Sequence, residues 1–315
     1  MNPNFHLILG TGPVGCWTAR ALVDQGLSVR CVSRHGQRPG LLPEKVEVRA
    51  ADCGDAAAVR ELAQGAAVIY QALNPPYHQW PALFPALQAN ALNAAKAVGA
   101  RYVSIENLYL YDTSTPIRED SPIRPRSEKG RLRARLAQEV MVAHERGEVL
   151  ATALRSSDYY GPGVLLSALG ERVFAPLVRG RRAQLMGSAS TPHSFAYIED
   201  VGRAAALLGT RDDAPGKVWF APHAGALTQQ GMLTLAAKFL AAPPRHTVVS
   251  PLMLHLAGLF NPTARASVEM IYQFTEPFVV DSTGSETTLG LTPTPLETGL
   301  ARTLAWYRAR ADGGR

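Results

Sequence analysis

The chain has 315 residues, 46% of them hydrophobic and 18% charged, with a formal net charge of +6. That length holds one large α/β domain with a smaller lobe, and the composition is that of a globular chain with an ample core. No run reaches the length of a membrane span, and the apolar stretch before Gly10 is too short for a signal peptide, so a cytoplasmic protein without membrane contact is expected. The densest basic stretch, residues 118–135, contains Arg124, Arg126, Lys129, Arg131, Arg133 and Arg135 without interleaved aromatic residues. It matches no nucleic-acid motif, so it reads as a solvated helix face and no nucleic-acid partner is expected. Cys16, Cys31 and Cys53 lack metal or redox spacing and read as reduced core thiols; no cluster has metal-ligand spacing.

Leu7, Ile8 and Leu9 lead into Gly10-Thr11-Gly12-Pro13-Val14-Gly15, and a helix is predicted over residues 16–25. Buried strand, glycine turn and helix form the order that a dinucleotide site needs. Gly10 allows the tight turn, Gly12 lets the backbone approach a pyrophosphate, and Gly15 lets the helix pack on the strand with its free N–H groups facing the phosphates. A second strand over residues 27–33 ends on Ser33, with Arg34 directly behind it and Arg38 in reach. An acidic residue at this place receives ribose hydroxyls, whereas a small polar residue followed by arginine suits a 2′-phosphate, so NADP is expected rather than NAD.

Residues 46–50 read as a third strand, followed by Asp52, Cys53 and Asp55, the last capping a helix over 56–64. Residues 67–71 form an apolar fourth strand, Asn74-Pro75-Pro76-Tyr77 interrupts the pattern, a helix runs over 80–98, and residues 101–105 are a fifth strand. This alternation predicts right-handed βαβ crossovers and a Rossmann-type, doubly wound parallel sheet with helices on both faces. A helix over 127–146, a sixth strand over 150–154 and a short returning strand over 218–221 follow, and Thr228 caps a further helix. Two apolar helical segments, 250–260 and 264–274, are expected to cover a substrate cleft or to form a homodimer face, with Met253 and Met270 in the core.

Several motifs in order carry a family resemblance: GTGPVG, the Asp52 turn, VSIENLYLYD, SEKGRLRARLAQE, RSSDYYGPG, SFAYIEDVGRAAALL and the C-terminal DSTGSETTLGLTPTPLETGLARTLAWYR. The chain resembles the extended short-chain dehydrogenase/reductase family, also called the NAD-dependent epimerase/dehydratase family. The resemblance implies a nucleotide-binding unit over residues 1–163 with returning segments near 191–222, and a smaller substrate lobe from 164–190 and 223–315. It places Asp52, Cys53, Ala72, Leu73 and Asn74 along the nucleotide, Ser156, Ser157 and Asp158 near the nicotinamide, and Asp200 as a structural anchor.

The family's catalytic Ser/Thr, Tyr and Lys positions are held here by Asn107, Lys129 and Arg133. Arg133 can hold ribose hydroxyls but cannot shuttle a proton. Lys129, one turn earlier on the same face, is expected to feel Arg133 as a like charge and to act with Asn107 on a substrate oxygen, with Lys129 as the acid. Tyr77, His78, Tyr109, Tyr111, Tyr159, Tyr160 and His193 are further candidates around a small-molecule substrate. The expected function is hydride transfer to or from a small carbonyl, alcohol or sugar-like substrate. The alternatives are a non-catalytic NADP-binding sensor or interaction protein, and an epimerase or dehydratase with tightly held nucleotide.

Overall fold

The computed structural model describes residues 5–114, 116–241 and 243–313. Six strands, β1 (Phe5–Leu9), β2 (Val29–Ser33), β3 (Glu47–Ala50), β4 (Ala66–Gln71), β5 (Arg101–Asn107) and β6 (Ala151–Ser156), join the edge strand Val218–Phe220 in one sheet. Its order is Val218–Phe220, β6, β5, β4, β1, β2, β3, and every pairing is parallel. Strand order reverses beside β1, so the chain leaves β1 and β4 in opposite directions and a crevice opens between their carboxyl ends. The register sets Leu9 beside Gln71, Gln71 beside Ser104 and Asn107 beside Ser156, so the ends of neighbouring strands form one row.

Helices α1 (Pro13–Asp24), α2 (Ala56–Leu62), α3 (Trp80–Val98), α4 (Glu128–Glu145), α5 (Glu171–Val178) and α6 (Ile198–Thr210) cover the sheet or extend beyond it. Leu7, Ile8 and Leu9 are fully buried, which explains why β1 is apolar without alternation. Asp55 accepts from the backbone N–H groups of Ala57 and Ala58, Ser127 from that of Gly130, and Thr228 from that of Gly231, as N-caps of their helices. A second core joins Leu169, Phe174, Leu185 and Phe195 to Met232, Leu300 and Tyr307. Among the described residues no helix is long and apolar enough to cross a membrane.

Some expectations need correction. The second strand begins at Val29, two residues late, because Leu27 belongs to the turn that closes α1 and its N–H donates to the Leu22 carbonyl. The apolar stretch near the C-terminus is broken into Pro251–Gly258, Pro262–Ser267 and Tyr272–Thr275, with Asn261 capping the second helix. Met270 is buried as expected, but Met253 is 53% exposed, on a short helix that turns Leu252 and Leu256 outward as well. The basic stretch is not uniformly solvated either: Lys129 and Arg133 are buried on the inner face of α4.

Asp200 is 1% exposed near the start of α6 and accepts from Thr294 N and Thr294 Oγ1, both at 2.7 Å, and from Arg203. It ties α6 to the segment that leads into the last helix, Leu296–Asp312. Replacing it by alanine strands two partly buried donors of Thr294, so Asp200→Ala should lower the unfolding free energy by about 1–3 kcal/mol. Urea denaturation measures this, and a loss indistinguishable from zero would refute the anchoring role.

Candidate active site

At the crevice, Gly10 has φ 110°, and a Cβ there would meet the Ala72 carbonyl oxygen at 2.9 Å. A Cβ on Gly15 would overlap the Gly10 carbonyl oxygen and press on Ile8. Both positions therefore require glycine, one for its backbone conformation and one for close approach. Gly12 differs: it is the N-cap of α1, accepts no side-chain cap, and has open space where a Cβ would stand. Pro13 follows at the first helical position, and Val14 packs inward against the cluster containing Ile198 and Val201. The start of α1 thus turns unsatisfied N–H groups toward open space beside the strand ends.

Next to it lies a recess of about 310 Å³ lined by Thr11, Ser33, Arg34, His35, Gln37, Arg38 and Pro39, with no carboxylate in the lining. Arg38 is committed to the loop, donating to the carbonyls of Pro43 (2.8 Å) and Val46 (2.6 Å). Arg34 is exposed. Ser33 Oγ is buried without a partner, as are both polar atoms of the Gln71 side chain at the end of β4. Asp52 holds its own turn by accepting from Gly54 N at 2.9 Å, and Cys53 sends its side chain into the core while its carbonyl accepts from Asn90. Ala72 donates to the Leu9 carbonyl, Leu73 packs against the core, and Asn74 is exposed.

The predicted catalytic positions part company. Arg133 is 3% exposed, with its guanidinium 4.7 Å above the Phe84 ring and a single long bond to the Ile105 carbonyl at 3.4 Å. Its Nε has no partner. Burial pulls its pKa downward, opposed mainly by the Glu106 charge. Lys129 does not sit in the like-charge surroundings that its spacing from Arg133 suggests: its Nζ donates to Glu269 Oε1 at 2.6 Å, in an ion pair largely shielded from solvent. Glu269 also accepts from Glu128 N, so a carboxylate 140 residues downstream caps α4 and claims the ammonium. Asn107 accepts from Tyr109 N at 3.3 Å and remains partly exposed at the end of β5.

Tyr77 and Tyr109 meet hydroxyl to hydroxyl at 2.5 Å, and the Lys129 ammonium lies 5.4 Å from the centre of the Tyr77 ring. Burial first, and for Tyr77 next the Asp158 charge, push both phenols well up, and Tyr159 is pushed up to about 12 chiefly by burial. The two hydroxyls stay protonated. One hydrogen bridges them and the other is free to reach a ligand oxygen. Asp158 faces His193 at 3.1 Å, Ser156 donates to the Ser157 carbonyl, and Ser157 donates its hydroxyl hydrogen to the Ser194 carbonyl. Tyr111 and Tyr160 pack in the core, Tyr111 against the buried Arg155–Glu106 pair, and His78 is exposed beside Thr263.

Glu269 and His223 escaped the sequence reading because nothing in their neighbourhoods marks them. His223 is 6% exposed, accepts from Ser157 N at 3.4 Å through Nε2, and leaves Nδ1 without a partner.

The family model described as "NAD dependent epimerase/dehydratase family" matches residues 7–220. Among solved structures, a UDP-glucuronic acid 4-epimerase from Bacillus cereus in complex with UDP-glucuronic acid and NAD superposes with a TM-score of 0.77 at 17% identity, covering 97% of this chain and 99% of its own. A dTDP-glucose 4,6-dehydratase double mutant from Streptomyces venezuelae, with NAD bound, gives 0.76 at 18% identity over 98% of each chain. The epimerase Mth375 from Methanothermobacter thermautotrophicus gives 0.80 at 16% identity over 99% of this chain and 94% of its own. No curated protein sequence matches the chain.

Burial lowers the His223 pKa to about 4, with the His193 charge adding to the effect. The unfolded chain therefore binds a proton below pH 6.5 that the native state accepts only near pH 4. Stability from this group is complete above the unfolded value and drains away as pH falls through that window. Chemical denaturation across it should give a shallower slope for His223→Gln than for the parent, and an unchanged slope would contradict the assignment.

Proposed function

Because the chain belongs to the NAD-dependent epimerase/dehydratase family, we propose that it is an NADP-dependent oxidoreductase acting by hydride transfer on a small carbonyl, alcohol or sugar-like substrate. The observation that carries this reading is the start of α1, where an uncapped helix end meets open space over Gly12. Partnerless buried polar atoms at Ser33, Gln71 and Arg133 fit a polyhydroxylated ligand lying along the strand ends. A nicotinamide dinucleotide bound there supplies or accepts a hydride.

In this reading the Gly10–Gly15 loop, including Thr11, Pro13 and Val14, holds the pyrophosphate, and the Asp52–Cys53 turn flanks the adenine. Ser33 and Arg34 meet the 2′-phosphate, with Arg38 bracing their loop. Ala72, Leu73 and Asn74 line the middle of the ligand, and Arg133 takes the nicotinamide ribose hydroxyls, which would satisfy its idle Nε. Two of the neighbours named above, the 4-epimerase and the 4,6-dehydratase, carry NAD; the preference for NADP rests on this chain's own lining, which sets arginines where ribose binding needs a carboxylate. Ser156, Ser157 and Asp158 approach the nicotinamide. Asn107, Tyr77, Tyr109 and Tyr159 surround the substrate oxygen, His78 borders the same cleft with His193 set behind Asp158, and residues 164–190 and 223–315 form the substrate-facing lobe. With its ammonium claimed by Glu269, Lys129 serves as a fixed positive charge beneath Tyr77 rather than as the proton donor.

Fluorescence titration should show NADPH binding tighter than NADH by roughly tenfold or more, the yield of one charge-assisted contact of about 1.5–3 kcal/mol. Arg34→Ala should erase the difference while leaving NADH affinity intact; tighter binding of NADH by the parent would defeat the cofactor assignment. Gly12→Ala, which meets no atom of the protein, should keep the melting temperature and weaken both nucleotides. Undiminished affinity in that variant would remove the phosphate cradle from the account.

A further inference from the structure

His193 lies on the strand Pro192–Ser194 and is 1% exposed. Phe274 and Phe278 stack on its ring with centroids at 5.0 Å, and Phe195 tilts against it at 4.4 Å, so the imidazole cannot swing. Its Nδ1 is 3.0 Å from the Gln273 carbonyl oxygen, an atom that can only accept, which places a hydrogen on Nδ1. Its Nε2 is 3.1 Å from Asp158 Oδ2. A neutral ring with its hydrogen on Nδ1 offers only a lone pair at Nε2, and an ionised carboxylate offers only lone pairs in return. The contact is attractive when one more proton lies between them.

The couple has a direction. The Asp158 side chain is 15% exposed and the His193 side chain 2%, so the carboxyl group borders the cleft and the ring backs it from the interior. Asp158 follows β6 at the carboxyl edge of the sheet, and its charge reaches the phenols of Tyr77, Tyr109 and Tyr159. The residues facing the couple are these three phenols, the buried Ser157 and, behind His193, the imidazole of His223. No arginine or lysine pairs with Asp158 among the described residues.

We propose that Asp158 and His193 are the acid–base couple of this enzyme, Asp158 exchanging a proton with the substrate oxygen and His193 storing it. The proposal rests on the oxidoreductase reading above. In the reducing direction the carbonyl π bond breaks, the carbon takes a hydride from the reduced nicotinamide, and the oxygen takes the proton from Asp158. That proton is the one shared with His193: it moves from Nε2 to Asp158 as Asp158 delivers it to the oxygen, the ring keeps its Nδ1 hydrogen toward Gln273, and water supplies the next proton to the couple. In the oxidising direction the same proton returns from the alcohol. Asp158 touches substrate and is a catalytic residue; His193 acts through it and is a positioning residue.

Two measurements test this. Proton–nitrogen correlation spectra of the wild-type protein should contain a strongly downfield exchangeable proton coupled to His193 Nε2, lost in Asp158→Asn, with the Nδ1 proton retained in both. Its absence from the wild type overturns the couple whatever the variants do. In a panel of simple aldehydes and ketones with NADPH, Asp158→Asn and His193→Gln should each lose roughly 10²-fold or more in turnover while NADPH affinity stays within about twofold. Unimpaired turnover by Asp158→Asn overturns this proposal and leaves the oxidoreductase reading standing. A wild type that fails to bind NADPH, or binds it and reduces nothing, overturns that reading and this proposal with it.

Discussion

The contact between Gly15 and the Gly10 carbonyl sets the geometry on which the crevice depends. Any side chain at Gly15 would hold α1 away from β1, and any at Gly10 would strike Ala72, just past the end of β4. With both absent, the helix end, the end of β1 and the end of β4 converge within a few ångströms. Gly12 is then left at the surface with nothing above it. A helix start so placed concentrates partial positive charge and free donors at the point where strand order reverses.

Around that point the protein tolerates an uncommon amount of unsatisfied polarity. Ser33 Oγ, the Gln71 amide and Arg133 Nε are all buried and idle, each at or beside the carboxyl end of a strand. Buried polar groups ordinarily cost stability unless paired, so such a row is costly for the protein alone and suits a ligand that supplies oxygen atoms along the same line. The two buried cations of α4 resolve the same difficulty in opposite ways. Lys129 finds a carboxylate from a distant helix, whereas Arg133 settles for an aromatic face and one stretched carbonyl contact. One is thereby fixed as structure, and the other keeps donors to spare.

Acid–base capacity is separated from the helix that carries these cations. The phenols of Tyr77 and Tyr109 are held protonated by burial and bonded to each other, which suits them to polarise an oxygen and not to accept a proton. Asp158 and His193 meet on other segments, 35 residues apart in the chain. The imidazole is pinned by three phenylalanine rings, two of them from the C-terminal third of the chain.

Local pattern determined much of this protein. The apolar run of β1, the glycine spacing after it, the alternation of strands and helices, and the caps at Asp55, Ser127 and Thr228 are dictated by neighbours within a few residues. A sequence displays such interactions directly. The same holds for Ser33 and Arg34, whose place at the end of β2 follows from where the apolar run stops. Tertiary structure decided the charge states and partners in the cleft. Lys129 looked like half of a like-charge pair until Glu269 arrived from 140 residues away, Met253 looked like core until its helix proved short, and His193 looked like any lone histidine until Asp158 and Gln273 took its two nitrogens. Electrostatic neighbourhoods depend on distance in space, and separation along the chain carries no record of it.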